Sequence, residues 1–381
     1  MNDIYLDYAS TTPCDPQVIE AMKPYFFDRF GNASSPHSFG RRAHTAIEDS
    51  RKVLADFISA KPTEIVFTSG ASESNNQAIL TLALGLFSKG RHVIVSAIEH
   101  ASVNESAKRL SKLGFEVNFV QPDVYGVVHP KSIIDLIRED TILVILQHAN
   151  NEIGVIQPVD EVGAATRARG IAFLVDATQT VGHIPVNVKH MQCDLLSLSA
   201  HKFYGPLGVG ALFVREGLAI EPRLYGGDQE GSRRAGTQNL PGIVGMAKAL
   251  ELAQQSMNEE AQKQTVLRDH IIDFVLKNIS GAVLDGHRKQ RLPNNAHFCF
   301  EGISGEQLVV ALDMAGVALS QGSACSRGIL EPSHVLKAIG LSDQLALGSL
   351  RVSMGRWTSQ EEVDYFLQQL KLIVEKMRRG N

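Results

Sequence analysis

Short apolar runs closed by polar or glycine-containing turns recur through the first two thirds of the chain. The run Ile65-Val66-Phe67 leads into Thr68-Ser69-Gly70, and residues 72–87 then have helical composition. Further runs lie at 93–95, 117–120, 142–146, 171–175 and 195–198, with helical stretches such as 160–169 between some of them. Runs that are apolar at successive rather than alternate positions belong to strands covered on both faces. Their alternation with helices predicts an α/β fold with a mainly parallel sheet between two helical layers. After Pro241 the pattern changes: residues 243–278 carry almost no glycine or proline and are rich in Ala, Leu, Glu and Gln, which predicts one extended helix. Strand-like runs at 296–300 and 350–353 and helical ones at 305–314 and 360–377 then suggest a smaller α+β unit. The junction is expected near residue 258, with a large domain over 13–258 and a small one formed by 1–12 and 259–381.

The length of 381 residues fits this division, because a single core stops growing near ~250–300 residues. Thirty-seven basic against 41 acidic side chains leave a formal charge of -4, which offers no broad positive field to a polyanion, so nucleic acid is not an expected partner. No apolar run approaches the ~18 residues of a membrane span, and Met1-Asn2-Asp3 opens without a basic segment and hydrophobic signal core. A cytoplasmic protein without membrane association is the expectation. Cys14, Cys193, Cys299 and Cys325 lie far apart, forming neither a C-x-x-C pair nor a dense disulfide framework, so each thiol is judged singly.

Two charged residues stand at the ends of apolar strands. Lys202 follows the run 195–198 and precedes a turn containing three glycines and a proline; Asp176 closes Phe173-Leu174-Val175. In an open parallel sheet, that edge is where ligands bind. A buried carboxylate there needs a cationic partner. A protonated pyridine nitrogen is one such partner, and a Schiff-base lysine with a ring-nitrogen aspartate is what pyridoxal phosphate (PLP) chemistry requires. A structural Asp176–Lys202 ion pair, or a solvated lysine, fits the same residues.

Thr68-Ser69-Gly70-Ala71-Ser72-Glu73 joins a strand to a helix, so backbone amides, hydroxyls and the positive end of the helix dipole converge there as an anion cradle, or simply as a capped helix start. No Gly-Lys-Ser/Thr follows, so a nucleoside triphosphate is not indicated. Ser199 and His201, flanking Lys202, could add donors. His100 follows the run 93–95 at the same sheet edge, where an imidazole can stack on an aromatic ring and move protons. The thirteen histidines contain no H-x-x-x-H spacing, and no mononuclear metal site is expected.

Cys325 lies among small residues, Gly322-Ser323-Ala324 before it and Ser326 after it, on a stretch expected to rearrange at low cost and so to carry a thiol in and out of a cleft. Cys193 and Cys299 have apolar neighbours and read as fillers. Arg351 alternates with Leu350 and Val352 on a strand. Either a bidentate carboxylate anchor or a surface salt bridge accounts for it.

Taken in order, the motifs resemble those of cysteine desulfurases of the NifS/IscS type, in the class V aminotransferase group of fold-type I PLP enzymes. The resemblance spans nearly the whole chain. It rests on Leu6-Asp-Tyr-Ala-Ser-Thr-Thr-Pro13, Gly31-Asn32 with Ser34-Ser35, Thr68-Ser-Gly-Ala-Ser-Glu73, Glu99-His100, His148-Ala-Asn-Asn-Glu-Ile-Gly154, Asp176-Ala-Thr-Gln179, Ser199-Ala-His-Lys202, Gly236-Thr237 and Gly322-Ser-Ala-Cys325. Tyr8 departs from the Asn common in the family, as does Arg327-Gly328 after the cysteine.

The resemblance implies a seven-stranded, mainly parallel sheet and a homodimer. It implies that Lys202 carries PLP as a Schiff base, Asp176 pairs with the ring nitrogen and Gln179 bonds the ring hydroxyl. Ala71, Ser72, Ser199, His201 and the partner subunit's Thr237 would hold the phosphate. His100 would stack on the ring and transfer protons, Asn151 would contact cofactor or substrate, and Arg351 would bind the substrate carboxylate. Cys325 would take sulfur from L-cysteine as a persulfide, releasing alanine, and pass it to an acceptor such as an iron-sulfur scaffold or a tRNA-thiolation or sulfur-carrier protein. Another PLP aminotransferase or a selenocysteine lyase is the alternative.

Overall fold

The computed structural model describes residues 3–321 and 331–379. Its strands are β1 (Ile4–Tyr5), β2 (Ile65–Thr68), β3 (His92–Ser96), β4 (Glu116–Val120), β5 (Thr141–Ile145), β6 (Ala172–Asp176), β7 (Leu195–Ser199), β8 (Gly210–Val214), β9 (Ala282–Leu284), β10 (Asn295–Phe300), β11 (Val317–Ala318) and β12 (Ser349–Ser353). Seven of them form one sheet in the order β2-β8-β7-β6-β5-β3-β4. Only β8 runs against the rest, pairing antiparallel with β2 and β7. All five residues of β3, β5, β6 and β7 are buried, so these strands need apolar side chains at successive positions, the pattern visible in the chain. Because six strands share one direction, Thr68, Ser96, Ile145, Asp176 and Ser199 all end at the same edge.

Helices cover both faces. Ile94, Val144, Phe173 and Leu196 point into one core with the helix Ser38–Ile58, whereas Val93, Leu143, Leu174 and Leu195 point into the other with the helix Ala71–Gly85. A 39-residue helix, Leu240–Asn278, begins under an Asn239 cap that accepts the Gly242 amide, with proline in its first turn. Its first half enters the core of the large sheet through Ile243, Met246 and Leu250. Its last turns, through Leu267, Ile271 and Val275, enter a separate core beneath the antiparallel sheet β12-β10-β9. Ala296, Phe298 and Phe300 of β10 face that second core. His297 lies on the opposite face, in register with Arg351 on β12. The N-terminal strand β1 pairs with β11, and Asp7 bridges to Ser353, so residues 4–7 join the small sheets before the chain crosses to the large one.

Candidate active site

A cleft of about 1280 Å³ opens along the carboxyl edge of the large sheet. β2 ends in Thr68, and Gly70 then turns the chain at φ 152° into the helix Ala71–Gly85. A side chain at Gly70 would meet Ser199 Oγ at 3.4 Å, so the glycine lets the loop approach β7. Thr68 Oγ1 and Ser74 Oγ are 2.8 Å apart, and Glu73 accepts the Ser69 amide at 2.8 Å while pairing with Arg234 Nε at 2.8 Å. These bonds hold the loop open, and the first-turn amides of Ala71 and Ser72, which precede any intrahelical acceptor, border the cleft. Ser199 and His201 border it from β7 and the short 3-10 turn Ala200–Lys202. Burial and the Lys202 charge push the His201 imidazole down to about 4, so it is neutral at pH 7.

Lys202 closes that turn. Its Nζ donates to the carbonyls of Ala9 and Ser10, both at 2.6 Å. Burial, and after it the positive charge of Arg351, bring the ammonium down to about 8, so a useful fraction is free amine near neutral pH. Asp176 ends β6; its Oδ1 accepts the Thr178 amide at 2.9 Å and its Oδ2 accepts Asn75 Nδ2 at 2.8 Å. Gln179 lines the cleft and donates to the Ala9 carbonyl at 3.0 Å. His100 caps the helix Ala101–Lys112 with its ring, and the cleft walls hold its imidazole below the ordinary range, chiefly through desolvation. The preceding Glu99 is fully buried, accepts the Gln147 amide at 2.7 Å, and is pushed up to about 8 by burial, so at pH 7 it is a neutral acid.

Arg351 reaches the same cleft from β12, buried rather than on the surface. It donates through Nη2 to Asp7 Oδ1 at 2.8 Å and Ser10 Oγ at 2.7 Å, and through Nη1 to the Asn151 carbonyl at 2.8 Å. Ten of the residues singled out in the sequence thus border one cavity, drawn from both sheets. Thr237 is exposed and does not border the cleft of its own chain. Cys325 lies outside the described residues. Cys193 and Cys299 are buried with their thiols pushed far up, chiefly by desolvation; Cys193 packs as an apolar filler, whereas Cys299 stands beside the Asp285 carboxylate.

Among the residues not singled out in the sequence are Ser102, which lines the cleft, and Asn75, buried behind Asp176. Asn75 stands four residues after Ala71 on the same helix, so it shares the face of the cradle; that spacing was the available signal. Ser102 stands two residues after His100, the position of a cap partner. One further cluster sits outside the cleft: Asp285, His297 and Cys299, all buried, with ligand atoms within 4.8 Å of one another. His297 Nδ1 is 2.7 Å from Asp285 Oδ2, its Nε2 donates to the Gln321 carbonyl, and the buried Arg291 guanidinium donates to the Asp285 backbone. A proton shared within the Asp285–His297 pair accounts for that geometry.

Residues 4–366 match the family described as aminotransferase class-V, a span that takes in all three sheets and the helices that carry the cleft. The chain therefore belongs to the class V aminotransferases, enzymes of the PLP-dependent kind. Within that family it falls among the cysteine desulfurases. It is 50% identical over 376 residues to the cysteine desulfurase IscS of Dictyoglomus turgidum, covering 99% of this chain and 95% of that protein. Among solved structures, a NifS-like protein superposes with a TM-score of 0.93 at 37% identity, covering 98% of this chain and all of the other. SspA in complex with cysteine does so with a TM-score of 0.82 at 34% identity, over 93% of this chain and all of the other. No helix among the described residues is long and apolar enough to cross a membrane.

Proposed function

We propose that the chain is a PLP-dependent cysteine desulfurase that removes sulfur from L-cysteine, leaves alanine, and carries the sulfur as a persulfide on Cys325. The observation that carries this reading is the convergence of Lys202, Asp176 and His100 on one cleft beside an amide-lined cradle. The donor set fits the cofactor: an amine brought down to about 8, a carboxylate that accepts two hydrogen bonds and keeps an edge on the cleft, and a neutral anion cradle. When bound, PLP supplies an electron sink for charge developing on the substrate carbons.

The residues around it have separable roles. Ala71, Ser72, Ser199 and His201, with the partner subunit's Thr237, hold the phosphate; Thr237's exposure in its own chain suits a contribution across a homodimer. Asp176 would hold the ring nitrogen and Gln179 the ring hydroxyl. Lys202 would hold the cofactor through its Nζ and move protons on the substrate. His100 would border the cofactor and hold a proton at its Nε2. Arg351, freed in part from Asp7, takes the substrate carboxylate beside Asn151. The Cys325 thiolate attacks the substrate sulfur, so an S–S bond forms as the carbon–sulfur bond breaks, and its electron pair returns to the carbon skeleton that leaves as alanine.

The two cores are read as a large cofactor domain, 13–258, and a small domain, 1–12 with 259–381. The persulfide sulfur passes to an acceptor of the iron-sulfur scaffold or tRNA-thiolation class in the cytoplasm. Mass spectrometry after incubation with L-cysteine tests the reading. The peptide containing Cys325 should gain one sulfur while alanine accumulates; alanine formed without that gain removes Cys325 as the acceptor.

A further inference from the structure

Histidine is an unusual helix cap, and the way His100 does it determines where its proton sits. The backbone N–H of Ser102 donates to His100 Nδ1 at 3.1 Å. A ring nitrogen that accepts carries no hydrogen, so the neutral ring keeps its single N–H on Nε2. Ser102 Oγ stands 2.9 Å from the same Nδ1, and Asn75 Nδ2 donates to that oxygen at 3.0 Å. With one lone pair of the hydroxyl filled by Asn75, its own hydrogen is available to Nδ1.

The orientation of Asn75 is fixed from the other side. Asp176 Oδ2, 2.8 Å away, only accepts, so the amide must present NH2 to it, and the second hydrogen of that NH2 faces Ser102. Asn75 is fully buried and its Oδ1 has no partner among the described residues, so its place rests on these two donated bonds. Donation therefore runs outward from Asn75 in both directions, to Asp176 at one end and through Ser102 to His100 at the other.

The geometry points to a positioning role: we propose that Asn75 and Ser102 hold His100 in the Nε2–H tautomer and tie its ring to Asp176. The ring then offers the cleft a donor rather than a lone pair. A second proton would have to enter at Nδ1 against two donors, which keeps the imidazole neutral. The charged groups facing it act in both directions: Asp176 and Glu152 favour the imidazolium, whereas Lys202 and His334 oppose it. The mechanistic consequence rests on the desulfurase reading; the tautomer does not.

The test uses the full chain labelled with ring-15N histidine, with His100 identified among the thirteen histidines by loss of its signals in His100→Gln. In the native chain at pH 7.5, with and without PLP, Nδ1 should resonate as an unprotonated nitrogen and Nε2 as a protonated one. Ser102→Ala should raise the midpoint of His100 titration by about 0.5–1 pH unit, the effect of losing one hydrogen bond to the unprotonated nitrogen, and Ser102→Thr should restore it. A proton on Nδ1 in the native chain overturns the proposal, whatever the variants do. So does an unchanged midpoint in Ser102→Ala. Uptake of PLP, read from its yellow absorbance, reports separately on the reading of the cleft.

Discussion

Replacing Lys202 by methionine measures how far the cleft opposes the charge it holds. Bringing a lysine from its ordinary 10.5 to about 8 corresponds to ~3 kcal/mol, at ~1.4 kcal/mol per pH unit, by which the folded state disfavours the ammonium. The folded chain binds this proton more weakly than the unfolded chain. Below pH 8 both carry it and the whole penalty is present. Between pH 8 and 10.5 only the unfolded chain keeps it, so the folded state gains stability as pH rises. Methionine removes the penalty at every pH and gives up the bonds to the Ala9 and Ser10 carbonyls, each worth ~1 kcal/mol. The cofactor-free Lys202→Met chain should then be more stable than the native chain at pH 7 by ~1 kcal/mol and, with ~0.8 kcal/mol of the penalty still present in the native chain at pH 10, less stable there by ~1 kcal/mol. Urea denaturation at the two pH values reads the change; with m near ~3 kcal/mol/M, the gap between midpoints should move by about 0.7 M. If the two chains keep a constant gap from pH 7 to pH 10, Lys202 titrates as a solvated lysine and the reasoning fails.

Three further outcomes are expected. Glu230 is buried, receives both Nη atoms of Arg51 at 2.7 and 3.0 Å and accepts the Phe67 amide at 2.9 Å; Glu230→Ala leaves Arg51 with only the partly exposed Glu48, 3.1 Å from its Nε, as a counter-charge and should cost ~2–4 kcal/mol in denaturant unfolding. A Cβ at Gly210 would lie 2.5 Å from the Leu198 carbonyl oxygen and 2.6 Å from Gly70 Cα. Gly210→Ala should therefore displace the cradle and weaken PLP retention more than that of pyridoxal, which lacks the phosphate, in a dialysis assay followed by absorbance. Cys325→Ala should keep the yellow absorbance of the bound cofactor and lose sulfur uptake from L-cysteine; undiminished uptake on another residue would redirect the assignment.

What the chain determined by itself was local and periodic. The buried strands needed apolar residues at consecutive positions, so β3, β5, β6 and β7 were readable directly, and the glycine-poor stretch after Pro241 became the helix Leu240–Asn278. Lys202, Asp176 and His100 were legible because strand ends in a parallel sheet share one edge, so residues far apart in sequence were already aligned by topology. The surroundings of Arg351 and Asp176 were set only by tertiary contacts. Whether Arg351 met solvent or the cleft depended on the packing of the small sheet against residues 7–10, a contact between segments some 340 positions apart. The partner of Asp176 turned out to be Asn75, from a different βα unit. Periodicity specifies which face of an element is buried, but hydrogen-bond partners and charge pairings arise where elements meet, and only the assembled fold chooses them.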